Sequence, residues 1–222
     1  MKGILYGVGV GPGSEEFLTL KAVKVLKEAD VVIAPKALKD GESIALDTAK
    51  NFIGENTKIY KTHFPMGKKD REEKIYDIFK LIEKLIGEGK KVVFLTIGDP
   101  FLYSTYIYIL DYIKKTDIKF ETVPGINSFS AAASVAGETL VIGNEPLLIL
   151  PASKINTIKD EKFIVLMKFY KKEKEVLDIL EEKEFKYVCI RRACREGESV
   201  LYTREEILNS RDYMSLIIAH RD

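Results

Sequence analysis

The run Val92-Val93-Phe94-Leu95-Thr96-Ile97, closed by Gly98-Asp99-Pro100, constrains this chain more than any other stretch. A short run of apolar and β-branched residues is too brief for a buried helix and suits a strand covered on both faces. Beyond Pro100, Ile107, Leu110 and Ile113 recur at helical spacing, so residues 98–106 span a strand end and a helix start. Gly98 permits close backbone approach, and Pro100 biases Asp99 toward an extended conformation. Ser104 or Thr105 is placed to cap the helix. In an open α/β sheet, ligands bind beyond the carboxyl ends of the strands. Gly-Asp-Pro is also a common turn, so these residues alone leave ligand binding and plain punctuation both open.

The same alternation runs through the first half. Residues 4–10 read as a strand ending in Gly9-Val10-Gly11-Pro12-Gly13. This loop resembles the start of a dinucleotide fingerprint, but Pro12 removes a backbone donor and no third Gly opens the next helix. Thr19 is placed to cap a helix carrying Leu20, Val23 and Leu26. Val31 to Ala34 reads as a strand ended by Pro35-Lys36, Ile44 to Phe52 as a helix and Lys58 to Lys61 as a strand. The stripe Ile75, Ile78, Phe79, Ile82, Leu85 and Ile86 predicts a long helix stopped at Gly87 or Gly89. Lys119 to Val123 reads as a strand, and a helix of small residues, Ser130 to Ala136, follows. From Leu147 the strands shorten: 147–150, 163–167, 187–190, 199–202 and 213–219, with one helix at Val176, Leu177 and Leu180. Alternating βα units followed by a strand-rich half predict two α/β domains, 1–117 and 118–222.

Composition excludes several function classes. A formal net charge of +1 leaves no domain-scale basic excess for nucleic acid. Cys189 and Cys194 lack a Cys-x-x-Cys spacing, and His63 and His220 are the only histidines, so neither a metal site nor a Ser-His-Asp triad is predicted. No apolar run reaches membrane-spanning length and the N-terminus lacks a signal-cleavage pattern, so a cytoplasmic location is expected. The absence of Gln and Trp and the preference for Lys over Arg resemble thermophilic compositions.

Four stretches, in this order, resemble one family: Gly7-Val8-Gly9-Val10-Gly11-Pro12-Gly13 with Leu18-Thr19-Leu20-Lys21-Ala22, Ala29-Asp30-Val31-Val32, Gly98-Asp99-Pro100 and Val123-Pro124-Gly125-Ile126. That family is the tetrapyrrole methylases, and the resemblance covers nearly the whole chain. Pro35-Lys36, Phe64-Pro65-Met66, Tyr103-Ser104-Thr105-Tyr106, Leu166-Met167-Lys168 and Tyr213-Met214-Ser215-Leu216 resemble the members that methylate C-20 of precorrin-2 or cobalt-factor II in corrin synthesis. Uroporphyrinogen-III methylases carry an Asp regarded as catalytic where this chain has Pro35. Diphthine synthases lack the Gly-x-Gly-Pro-Gly loop.

The resemblance implies the tetrapyrrole methylase fold, two α/β domains with S-adenosylmethionine folded in the cleft between them and S-adenosylhomocysteine as product. It places cofactor contacts at Pro12, Ile97, Gly98, Asp99, Leu102, Asn127 and Ser128, with Met167 and Ala193 from the second half. Asp99 also suits a turn-stabilising role and Met167 core packing. Gly9, Gly11, Lys36 and Arg71 are the candidates for substrate contact, and Tyr103 and Tyr106 for a base, although Tyr106 also fits the helix stripe. A carboxylate-rich macrocycle calls for local cations. Lys36, Lys61, Lys68, Lys69 and Arg71 are available in the first half, and Arg191, Arg192 and Arg195 in the second. The family also implies a homodimer. A same-fold methylase acting on another tetrapyrrole or a macromolecule, and a non-catalytic dinucleotide module, are the alternatives. The near-neutral charge argues against the RNA-directed form, and the broken glycine fingerprint against the dinucleotide module.

Overall fold

The apolar runs of the first half become parallel strands buried between two helix layers. The computed structural model describes residues 3–36, 41–64 and 68–222. Strands β1 (Ile4–Gly9), β2 (Val31–Lys36), β3 (Lys58–His63), β4 (Lys91–Thr96) and β5 (Phe120–Val123) form one sheet in the order β3-β2-β4-β1-β5. Every pairing in it is parallel. The crossovers carry α1 (Leu20–Lys27), α2 (Ile44–Ala49), α3 (Lys68–Gly87) and α4 (Tyr106–Ile113).

Strand alternation divides the core in two. Leu5, Ile33, Val92 and Phe94 pack against Ile75, Ile78 and Ile82 of α3 and Ile109 and Ile113 of α4. Val8, Val10, Val32, Val93 and Leu95 pack against Ala22 and Leu26 of α1 and Ala45, Leu46 and Ala49 of α2. Each fully buried aliphatic side chain contributes about 1.5–3 kcal/mol by leaving water. The starts of α1 and α2 are capped by side chains. Thr19 Oγ1 accepts from the Ala22 amide at 3.1 Å and Ser43 Oγ from the Leu46 amide at 3.3 Å. β2 runs through Pro35, where a break is expected from sequence. Its pairing with β4 ends at Ile33, so a residue without an N–H is tolerated on that open side.

The two compact units are Met1–Asn127 and Ser128–Asp222. The boundary expected at 117/118 therefore moves, because β5 pairs with β1 from Leu5↔Phe120 to Val8↔Val123. The segment after Lys115 leads into the edge strand of the first sheet.

The second unit contains α5 (Ser128–Ala136), β6 (Leu147–Pro151), β7 (Phe163–Met167), α6 (Glu173–Glu182), β8 (Lys186–Arg191), β9 (Ser199–Leu201), α7 (Arg204–Asn209) and β10 (Ser215–His220). Its sheet order is β6-β7-β10-β8-β9, with β6 and β7 parallel and the other pairs antiparallel. Ala132 and Ala133 of α5 lie directly on Val165, Val188 and Ile190, which their small side chains permit. α7 is absent from the sequence reading. It is too short for a hydrophobic stripe and rests on a capping box between Thr203 and Glu206.

Candidate active site

Parallel topology gathers the carboxyl ends of all five strands of the first sheet at one edge. β1 and β4 are neighbours there, yet the chain leaves β1 toward β2, beyond β4, and leaves β4 toward β5, beyond β1. Adjacent strands whose connections depart in opposite directions define the crevice where α/β proteins bind ligands.

The turns after β1, β4 and β5 are locked together at this point. The Gly98 amide donates to the Gly11 carbonyl at 2.6 Å and the Gly11 amide to the Gly98 carbonyl at 3.3 Å. The Asp99 carboxylate closes the junction: Oδ1 accepts from the Phe101 amide at 2.9 Å and Oδ2 from the Gly125 amide at 3.1 Å. Gly9, Gly98 and Gly125 pack backbone to backbone, so a Cβ on Gly9 would come within 2.6 Å of the Gly125 nitrogen, and one on Gly125 would overlap the Gly98 carbonyl. Gly98 itself has φ +71°, a conformation that favours glycine, and a Cβ there would meet nothing within 4 Å. Backbone is thus tightly held on one side of Gly98 and open on the other.

Two buried polar atoms lie in the segments that build this junction. Thr96 Oγ1 and Asn127 Oδ1 have no hydrogen-bond partner among the described residues, and Thr96 is only 7% exposed. Buried polar groups are normally satisfied, so both mark places for a ligand or an ordered water. The sequence reading names Asn127 but misses Thr96. A lone hydroxyl in an otherwise apolar strand is the signal that could have found it.

The structure brings together Gly9, Gly11, Pro12, Ile97, Gly98 and Asp99 at the ends of β1 and β4, with Gly125 and Asn127 following β5. Leu102 and Tyr103 lie on the turn from Asp99 to α4, where Tyr103 is 43% exposed and has φ +51°. A non-glycine residue held in the left-handed region marks local strain. Tyr106 is corrected: it is fully buried, its hydroxyl lies 3.0 Å from Thr122 Oγ1, and its ring fills the space a side chain at Gly7 would need. Burial raises its phenol above the ordinary tyrosine range. It packs as a core residue. Thr105 occupies the N-cap position of α4 without a side-chain bond, while Ser104 donates to the Pro100 carbonyl, so neither caps as expected. Ser128 opens α5 in the second unit, and Met167 and Ala193 both lie on the α5 face of its sheet, packed against that core.

The candidate cations are less available than their number suggests. Lys61 pairs with Glu42 at 2.9 Å, Arg71 lies 5.4 Å from the Tyr108 ring centroid and Arg192 pairs with Asp212 at 2.7 Å. Lys36 ends β2 beside His63 of β3. Arg195 follows β8, and its amide donates to the Arg192 carbonyl. Pro65, Met66 and the side chains of Lys68 and Lys69 lie outside the described residues. Among the described residues no cluster of three or more His, Cys, Asp or Glu is arranged to hold a metal ion, and no helix is long and apolar enough to cross a membrane.

Two α/β units, the first with a backbone-built junction at a strand switch point, define an α/β protein with a ligand-binding crevice, and comparison with known proteins narrows that class. The model of the tetrapyrrole (corrin/porphyrin) methylases matches residues 4–208. The chain belongs to that family. It is 36% identical to a protein of Methanocaldococcus jannaschii named as a probable cobalt-precorrin-2 C(20)-methyltransferase, over 98% of this chain and 96% of the relative. It is 33% identical to the cobalt-precorrin-2 C(20)-methyltransferase of Salmonella typhimurium, over 77% and 74% of the two chains. A precorrin-2 C(20)-methyltransferase of Sinorhizobium is 32% identical over 75% and 73%. Among solved structures, a cobalt precorrin-4 methyltransferase superposes with a TM-score of 0.76 at 21% identity, covering 98% of this chain and 94% of that one. A uroporphyrin-III C-methyltransferase of Thermus thermophilus, solved with S-adenosylhomocysteine, gives 0.72 at 21% identity, covering 98% and 97%. These likenesses establish the fold.

Proposed function

We propose that this chain transfers a methyl group from S-adenosylmethionine to C-20 of a precorrin-2-type tetrapyrrole in corrin synthesis, and that the cobalt-carrying form is its substrate. The observation that carries the reading is the Gly9–Gly98–Gly125 junction, with open space over Gly98 and an unsatisfied acceptor on Asn127. Family membership supplies the reaction class. The cobalt form rests on the names of the relatives from Methanocaldococcus and Salmonella, which are the more similar of the three.

The residues present fit the cofactor. An elongated nucleoside with a polar amino-acid end needs backbone donors and acceptors at close range, an apolar slot and a few buried polar atoms. Ile97 and Gly98 offer the backbone, Leu102 and Ile126 the apolar surface, and Asn127 and Thr96 the polar atoms. When bound, S-adenosylmethionine supplies a methyl already activated by its sulfonium. The protein's own work is alignment and exclusion of water. Asp99 acts as an orienting residue, because both carboxylate oxygens are engaged by backbone amides. The meso carbon that gains a methyl releases a proton, and Tyr103 is the tyrosine whose side chain reaches the surface there. Gly9, Gly11, Lys36 and Arg71 remain the proposed substrate contacts. A cytoplasmic homodimer belongs to the same reading.

Calorimetric titration with S-adenosylhomocysteine, followed by mass spectrometry of precorrin-2 and cobalt-factor II incubated with S-adenosylmethionine, tests it. One added methyl, formed faster on the cobalt macrocycle, is the expected result. Nucleoside binding without tetrapyrrole product would move the acceptor elsewhere, and no nucleoside binding would remove the cofactor assignment.

A further inference from the structure

The second unit contains a polar row around Arg191, a cation named above as available to the macrocycle but given no role in the proposed methyl transfer. Ser215 of β10, Arg191 of β8 and Ser199 of β9 are direct cross-strand partners. Such partners share a face of the sheet. Alternation puts this row on the side of α6 and α7, because Cys189, Leu201 and Ile217, two residues away on the same strands, pack there. Met167 and Ala193 lie on the opposite face, with α5.

Each member of the row carries a buried polar atom without a hydrogen-bond partner among the described residues: Arg191 Nε, Ser199 Oγ and Ser215 Oγ. One arm of the guanidinium is held, since Arg191 NH1 donates to Ser210 Oγ at 2.7 Å. Arg191 forms no ion pair among the described residues. The buried carboxylate in its neighbourhood, Glu173, is already engaged. It accepts from the Lys171 amide at 2.9 Å and faces Arg211 Nε at 3.9 Å. No carboxylate lies within ion-pair distance of Arg191 among the described residues.

An unsatisfied buried donor costs about 1–3 kcal/mol, and more when charged. A guanidinium nitrogen can only donate and a serine hydroxyl can donate, so the partner this row lacks is an acceptor. The guanidinium's own positive charge favours an anionic acceptor. Neighbouring residues of an antiparallel pair stand about 4.5–5.5 Å apart, so Ser215 and Ser199 flank Arg191 and a group seated over Arg191 has one hydroxyl on each side. We propose that the Ser215–Arg191–Ser199 row is an oxyanion site that takes a carboxylate or phosphate group through Arg191 Nε and the two serine hydroxyls.

The test titrates the full chain with inorganic phosphate and, separately, with acetate, at ionic strength held constant with sodium chloride. Thermal unfolding and calorimetry are the readouts. A saturable rise in Tm with one anion is expected, and the anion that saturates at the lower concentration identifies phosphate or carboxylate as the source. Arg191→Met should bind that anion about tenfold more weakly or worse, the loss expected for a charged hydrogen bond. The double variant Ser199→Ala/Ser215→Ala keeps the charge and should show a smaller loss, so the site stays testable if Arg191→Met does not fold. No saturable rise above chloride, or undiminished affinity in the double variant and in folded Arg191→Met, would overturn the proposal and assign the row to ordered water.

Discussion

The two sheets place their chemistry in opposite ways. In the first, every strand points the same way, so all turns of interest meet at one edge and the junction is built from backbone: Gly9, Gly98, Gly125 and the Asp99 carboxylate that ties them. In the second, antiparallel strands divide the turns between two ends, and three unsatisfied polar atoms sit on side chains in a row across β10, β8 and β9. Where topology concentrates the backbone, glycine gives precision through the absence of side chains. Where it does not, precision has to come from side chains held by register.

The largest effect that would sharpen this contrast is at Gly125. Gly125→Ala places a methyl against the Gly98 carbonyl and within 2.9 Å of Gly9 Cα, atoms that cannot rotate away. It should destabilise the protein by about 3 kcal/mol in urea denaturation and abolish S-adenosylhomocysteine binding in calorimetry. Gly87→Ala, where the new methyl meets nothing within 4 Å, should be neutral or slightly stabilising. Equal effects of the two would show that the junction is not close-packed.

Asp99→Asn keeps the size of the side chain but turns an NH₂ toward one of two amide donors. A loss of about 2 kcal/mol, with weaker nucleoside binding, is expected from the unsatisfied pair. Unchanged binding would mean the turn holds without the carboxylate.

The third effect belongs to the second unit. Burial pushes the Cys189 thiol from its ordinary 9.0 up to about 12. The folded thiol stays protonated while the unfolded one ionises, so this contribution is complete below pH 9 and is lost as pH rises toward 12. Stability should fall in that window by at most about 1.4 kcal/mol per pH unit from this group. Tyr187, raised to about 12 by burial and by its bond to Glu181, adds a loss of the same sign above pH 10. Cys189→Ala should start less stable at neutral pH and decline less steeply, as followed by Tm against pH. An identical slope would assign the decline to other groups.

The smallest effect is at Tyr106. Tyr106→Phe removes only the bond to Thr122 and should cost about 1 kcal/mol with the methylation rate retained. A large fall in kcat at unchanged stability would restore it as a catalytic candidate.

Much of the first unit was legible without coordinates. Continuous apolar runs identify strands covered on both faces, the Ile75–Ile86 stripe identifies α3, and Thr19 identifies the start of α1, because these signals depend on local period and local capping. The order of the glycine motifs also identified the family. Sequence pattern was less informative where side chains have two local uses. Tyr106 fits a site and a core equally well until the absent side chain of Gly7 shows where its ring goes. Strand β5 looks like the start of a second domain until its pairing with β1 is seen.

What the sequence alone determined is the alternation of strands and helices, the Thr19 cap of α1 and the glycine positions, all set by propensity and sterics within a few residues. Only the tertiary structure decided that Gly9, Gly98 and Gly125 touch, that Asp99 holds Gly125, and that Ser215, Arg191 and Ser199 share one row. Those contacts join residues far apart in the chain, and strand order and register, not local pattern, choose the partners.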